Sequence, residues 1–351
     1  MLGLNAEVIG PSESLRLRSK VKDAFTHTYD NYMKHAFPKD ELKPLSCAGE
    51  DTLGSYALTL IDALDTLAVM GNYTEFGKQV GWVGENIRFD DIDDTVSLFE
   101  TNIRVLGGLL SAHIIARDLK AMGIRQCTER TKRMADQAER SSTRRECHKT
   151  HYAVRSYNGS LLDRALDLGH RLARAFQDPN RDQQQTKTGI PFGAVDLRSG
   201  VLAKETEITS TAAAGTLSLE WGALSRLSGN RTFETLASRA VQAIWSRRAV
   251  TTGLVGAHIN ITSGVWTHQD AGIGSSIDSF YEYLLKVCPH THAPTHPNAH
   301  HTAHAHHILT HLRNPLFLFI LSPLSPPSLL SPLSSLSPLS SPPLFSPASY
   351  I

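Results

Sequence analysis

The sequence predicts an all-α fold, and three observations carry that prediction. Apolar residues recur at spacings of three and four, as in Ile103, Leu106, Leu109, Leu110 and Ile114, the period of a helix with one buried face. These helical patterns come in pairs separated by short Gly-, Pro- and Asn-rich turns. Between them, GIPFGAVDLRSG (Gly189–Gly200) and GLVGAHINITSG (Gly253–Gly264) read as small β-hairpins. The expected result is an array of helical hairpins, not a parallel α/β sheet.

The elements follow in order. The first helix is expected over Ser14–Phe37, after an N-terminal extension at residues 1–19 that overlaps its start. Leu53–Met70 is a nearly continuous apolar helix interrupted by Asp62 and Asp65, and Glu75–Ile87 is its partner. Val96–Leu119 contains LFETNIRVLGGLLSAH, where Glu100 precedes Arg104 by four residues and a Gly107-Gly108 pair follows. At that spacing the two side chains share a helix face, so the cation holds the carboxyl while apolar neighbours desolvate it. A carboxyl so placed can stay protonated near neutrality and donate a proton, although Glu/Arg pairs at this spacing are also common as plain surface salt bridges. Arg125–Tyr157, rich in Arg, Glu, Lys and Thr, reads as an exposed insertion; it has interspersed acids and no aromatic stacking platform, which excludes a nucleic-acid reading. Helices are then expected over Ser160–Phe176, Thr209–Leu227, Phe233–Arg247 and Ser276–Val287, the last with Asp278 and Glu282 four apart among aromatics. Three helices thus carry acids in apolar surroundings, which suits a site that grips a carbohydrate or a cation.

Six segments carry a resemblance: YMKHAFPKDELKPL (Tyr32–Leu45), LTLIDALDTL (Leu58–Leu67), LFETNIRVLGGLLSAH, GTLSLEWGALSRLSG (Gly215–Gly229), GLVGAHINITSG and DSFYEYLLK (Asp278–Lys286). In content and order the chain resembles glycoside hydrolase family 47, the α-1,2-mannosidases. The HAFP-DEL-P portion favours the ER degradation-enhancing α-mannosidase-like branch. The resemblance implies a partial (α/α)7 barrel of helical hairpins over residues 20–288, covering about the first half of the family's fold. It also implies inverting, calcium-assisted hydrolysis of α-1,2-linked mannose on high-mannose N-glycans, in ER-associated degradation of misfolded glycoproteins. Inversion needs one carboxylic acid for the leaving oxygen and a carboxylate about 6.5–9.5 Å away that activates water. Glu100 matches the family's general acid and Asp278 a second essential carboxylate. Asp62, Arg104, Glu220 and Glu282 match substrate-binding pocket residues, the three acids holding sugar hydroxyls or calcium-bound waters. Salt-bridge roles are the alternative for Glu220, and for Glu282 with Lys286. Ser276 stands where the ER processing mannosidase has an arginine, which implies altered branch selectivity. The family's calcium threonine and its other candidate base lie beyond Lys286 and have no counterpart in this chain's tail. A non-catalytic glycan- or client-binding protein and an inactive fragment of a faulty gene model are therefore the alternatives.

Composition agrees with this and adds limits. Lys+Arg 35 against Asp+Glu 34 gives no electrostatic bias toward nucleic acid or a membrane surface. No apolar run reaches the roughly 18 residues of a bilayer span, and no signal-peptide pattern is visible at the N-terminus; placement in the ER lumen rests on the resemblance. Asn72, Asn158, Asn230 and Asn260 open N-x-Ser/Thr sequons. Cys47, Cys127, Cys147 and Cys288 show no CxxC spacing, so disulfide connectivity and an oxidoreductase partner stay open. From Pro289 the composition changes: nine histidines between His290 and His311 are followed by a Ser/Pro/Leu-rich run. Such a tail (289–351) has no packing period and is expected to be disordered, with metal binding the alternative for its histidines.

Overall fold

A computed structural model describes residues 10–133 and 154–291; the first three residues of the expected tail, 289–291, continue the last helix, and the rest of it, with every tail histidine but His290, lies outside the described residues. Helix α1 (Pro11–His35) opens with Pro at its first position and Glu13 in its first turn, and closes on Lys34 and His35, matching both the Pro preference and the helix dipole. The hairpin β1 (Glu41–Lys43) and β2 (Ala48–Glu50) follows. Helices α2 (Leu58–Val69) and α3 (Tyr73–Asn86) pack on each other. Their turn uses Gly71 at φ +81°, a conformation that glycine adopts without a Cβ clash. Asn72 then caps α3 by accepting from Glu75 N–H at 3.3 Å.

The expected helix Val96–Leu119 is four elements. Val96 lies in strand β3 (Thr95–Ser97), and α4 (Leu98–Glu100) passes through a π-helical turn (Thr101–Leu106) into α5 (Gly107–Arg133). Helix α5 thereby runs into the segment expected to be an insertion, and at its far end Val154 and Tyr157 are buried, with the Tyr157 hydroxyl 2.7 Å from His113 Nδ1.

Gly108 is where α5 touches α2. A Cβ there would stand 2.8 Å from the Ile61 carbonyl oxygen, so the helix approach requires glycine. Helix α6 (Ser160–Leu172) packs against α3 and α5. The expected helix Thr209–Leu227 breaks into β7 (Ile208–Ser210), α7 (Thr211–Gly215) and α8 (Ser218–Ser228), and α9 (Thr232–Ser246) folds back onto α8. Helix α10 (Asp278–Thr291) packs on α7 and α8. Trp221 is fully buried between Phe176 and Phe233, with ring centroids 5.6 and 5.9 Å away. Each such side chain contributes roughly 1.5–3 kcal/mol by burial.

Of the two expected hairpins, the first is not one. Its strand β6 (Ala194–Asp196) pairs antiparallel with distant β3, Val195 opposite Val96; only an isolated bridge, Asp196 to Gly200, is local. The second is a hairpin of β8 (His258–Asn260) and β9 (Trp266–His268), extended by β7 on the other side of β8. Two more short strands, β4 (Gln177–Asp178) and β5 (Gln184–Gln185), pair with each other. The fold is mostly helical as expected, but among the described residues the helices do not close into a barrel. No described helix is long and apolar enough to cross a membrane. Cys47 is free and exposed; the other three cysteines lie where no side chain is described.

Candidate active site

The site is organised by the junction of α4, the π-helical turn and α5. Ser97 starts it: its hydroxyl accepts the Glu100 N–H at 3.3 Å. A Ser three residues before a Glu is half of a capping box, in which the Glu side chain would reach back to the Ser N–H. It does not do so here. The Glu100 carboxylate instead accepts from Arg104 Nε at 2.7 Å, and Arg104 Nη1 reaches Asp62 Oδ2 on α2 at 3.3 Å. One guanidinium therefore ties together two of the predicted acids.

The three side chains are 39%, 45% and 46% exposed for Glu100, Arg104 and Asp62. All three side chains therefore keep contact with solvent at the edge of the junction. Partial burial pushes the Asp62 carboxyl up from its ordinary range, against the lowering effect of Arg104.

Glu220 on α8 occupies the desolvated position instead. Its Oε1 accepts from the Tyr283 hydroxyl at 2.7 Å and its Oε2 from Asn102 Nδ2 at 2.9 Å. Burial raises its pKa, and those hydrogen bonds work against the rise. Burial and the neighbouring Glu220 carboxylate raise the Tyr283 phenol too. Gly107 leaves room beside it, since a Cβ there would meet Glu220 Cγ at 3.7 Å. Asn102 is buried in the π-helical turn and also donates to the Thr216 carbonyl at 3.1 Å. π-helical turns are rare and concentrate at functional sites; this one sends Asn102 toward α8 while Arg104 reaches α2. Neither Asn102 nor Tyr283 was legible as a site residue. The sequence signal available was only Tyr283 lying one residue after Glu282 on a helix already marked by Asp278.

The other two predicted acids stand apart. Asp278, exposed at the start of α10, accepts from the Ser279 N–H at 2.9 Å. Glu282 is exposed and pairs with Lys286 at 2.6 Å, the salt-bridge alternative for that residue. Among the described residues neither makes a hydrogen bond or ion pair to Glu100, Asp62 or Glu220. Two open clefts, about 430 and 290 Å³, share Ser55, Asn86 and Ile87 in their walls and include none of the predicted site residues. Among the described residues no group of three or more His, Cys, Asp or Glu is placed to hold a metal ion.

A raised carboxyl makes a pH prediction. The folded state holds the Glu220 proton more tightly than the unfolded chain, so its contribution to stability is full below about pH 4.3, the unfolded value, and is lost as pH rises through the folded value. Glu220→Gln, neutral throughout, is expected to unfold with a flatter pH dependence across that window. Urea denaturation of both proteins at a series of pH values measures it, and parallel curves would remove the desolvation argument.

The family model for glycosyl hydrolase family 47 matches residues 24–319. The chain belongs to glycosyl hydrolase family 47. Among curated members, it is 51% identical over 285 residues to α-mannosidase I MNS4 of Arabidopsis thaliana, covering 81% of this chain and 39% of that one. With human ER degradation-enhancing α-mannosidase-like protein 2 it shares 43% identity, over 77% of this chain and 40% of that one. The human endoplasmic reticulum mannosyl-oligosaccharide 1,2-α-mannosidase is more distant, 33% identical over 80% of this chain and 34% of that one. This order agrees with the branch that the HAFP-DEL-P segment favours. The family 47 chain spans about two fifths of the length of these relatives. In structure it is similar to an α-1,2-mannosidase from Trichoderma reesei, with a TM-score of 0.60 and 29% identity, over 77% of this chain and 49% of that one.

Proposed function

We propose that this family 47 chain acts in the hydrolysis of α-1,2-linked mannose on high-mannose N-glycans of misfolded glycoproteins, in the lumen of the endoplasmic reticulum, and that its helices build part of an (α/α)7 barrel. The observation that supports this most is the Arg104 bridge between Glu100 and Asp62. It leaves a helix-start glutamate unused as a cap and fixes it beside a second acid.

In this reading Glu100 is the general acid: it gives its proton to the glycosidic oxygen as the bond to the anomeric carbon breaks. Asp278 is the second carboxylate, which takes a proton from the attacking water on the opposite face of the ring, the arrangement of an inverting enzyme. Asp62, Arg104, Glu220 and Glu282 hold sugar hydroxyls, Glu282 after exchanging its Lys286 partner. Calcium dependence goes with the family, where the ion grips sugar hydroxyls. The described residues do not fit such an ion: no group of three or more His, Cys, Asp or Glu is placed to hold one, and Arg104 already contacts both Asp62 and Glu100. No step is therefore assigned to it here.

The test is proton NMR of α-1,2-mannobiose incubated with the chain. Early appearance of β-mannose is the expected result. Early α-mannose would mean retention and remove the assignment of Asp278. Saturable binding without hydrolysis would support a glycan-binding protein instead.

A further inference from the structure

Four sequons are present, and the folded chain treats them differently. Asn72 lies in the α2–α3 turn, Asn158 just before α6 and Asn230 in the α8–α9 turn. Asn72 and Asn158 are exposed and Asn230 is half-buried. In each, the carboxamide oxygen does the structural work: it accepts from Glu75 N–H at 3.3 Å, Ser160 N–H at 3.1 Å and Thr232 N–H at 3.1 Å. Among the described residues the Nδ2 atoms of these three donate no hydrogen bond. Substituting the nitrogen therefore leaves every one of these turn and cap bonds in place, since the amide carbonyl is retained.

Asn260 is the contrast. It ends strand β8, the middle strand of a three-stranded sheet. Its Oδ1 accepts from Thr262 N–H, Ser263 N–H and Ser263 Oγ at 3.0, 2.8 and 3.0 Å, and its Nδ2 faces Glu207 Oε2 at 3.4 Å. Its backbone is also tied, to Val265 O and to Gly264 N–H at 2.9 and 2.8 Å. A substituent on this nitrogen would have to leave from between Glu207 and the hairpin turn.

We propose that Asn72, Asn158 and Asn230 are N-glycan acceptors of this chain and that Asn260 is not. The inference rests on the lumenal placement proposed above. In the transfer, the asparagine Nδ2 attacks the anomeric carbon of a polyisoprenyl-pyrophosphate-linked oligosaccharide. An N–C bond forms, the C–O bond to pyrophosphate breaks, the lipid pyrophosphate leaves, and one amide proton is released. The glycans would then project from three helix connections.

The experiment expresses the full chain in a secretory host behind an added signal peptide, so that lumenal delivery is imposed. Mobility is compared with and without endoglycosidase, for wild type and for N72Q, N158Q, N230Q and N260Q. Three removable steps are expected, with one lost in each of the first three variants and none in N260Q. Because N260Q could disturb the hairpin, T262A removes the same sequon with the asparagine kept, and is also expected to leave all three steps. A step lost in T262A, or no step at any of the other three sites, overturns the proposal. Because the added signal peptide imposes lumenal delivery, these steps test the acceptor assignment alone; the lumenal reading is tested separately by locating the endogenous protein against an endoplasmic-reticulum marker, where a location elsewhere counts against the placement and not against the acceptors.

Discussion

Glu100→Gln is expected to slow mannose release by about 10²- to 10⁴-fold, the usual contribution of a positioned proton donor, with little change in stability. The second half of that expectation comes from exposure. Glu100 and Arg104 are 39% and 45% exposed, and ion pairs of this kind contribute about 0–1 kcal/mol to folding because solvent screens them. A loss of activity in this variant therefore reports on chemistry and not on unfolding. The glutamine keeps the volume and can still face Arg104, but it has no carboxyl proton for the leaving oxygen. Rates on α-1,2-mannobiose and a urea unfolding curve, measured side by side, decide it. Activity within tenfold of wild type would place the proton donor elsewhere. Arg104→Met serves as the companion: it takes away the counter-charge from Glu100 and Asp62 together, so its pH profile for kcat should move while Glu100→Gln simply removes turnover.

How far the sequence led can be judged from the same junction. The spacing of Glu100 and Arg104 along one helix face was legible because it is local. Asp62 was legible as an acid in an apolar helix, though its partner was not, since Arg104 lies 42 residues away in sequence and reaches it only across the packing of α2 against the π-helical turn. Burial of a second carboxyl, Glu220, was not legible. Local neighbours of Glu100 are apolar, but the side chain lies toward solvent, whereas Glu220 gains its burial from α10 and the π-helical turn, 63 and 118 residues away in sequence from Tyr283 and Asn102. Helix existence followed from the three-and-four period, and the breaks did not. Val96 and Thr209 belong to strands because β6 and β8 pair with them across about 100 and 50 residues, which periodicity along the chain does not encode.

Asp40→Ala is expected to cost about 3–5 kcal/mol, the range for removing one member of a buried charged contact, against total stabilities of about 5–15 kcal/mol. Asp40 is fully buried, and its carboxylate accepts five backbone N–H groups, from Thr52, Leu53 and Ser55 on Oδ2 and from Tyr56 and Leu58 on Oδ1, at 2.9–3.2 Å. Without it those donors lose their acceptor, and for the buried Tyr56 and Leu58 an unmade hydrogen bond is most costly. The segment it organises is also strained. Ser55 and Ala57 have φ of +59° and +57°, each costing roughly 1–3 kcal/mol for a residue with a Cβ, and the carboxylate offsets that cost. Its carbonyl oxygen adds bonds from Thr59 N–H and Oγ1 at 3.0 and 2.6 Å, so the first turn of α2 is fixed from the same residue. Asp62 lies one turn further along that helix. Asp40→Asn keeps one oxygen and turns an NH₂ toward the remaining donors, so it should fall between wild type and the alanine variant in urea midpoint. It should also weaken catalysis through the displaced Asp62, whereas Glu100→Gln leaves α2 where it is. An alanine variant that unfolds within about 1 kcal/mol of wild type, below the range for a buried charged contact, would mean that the loop is held by its packing and that Asp40 is not its anchor.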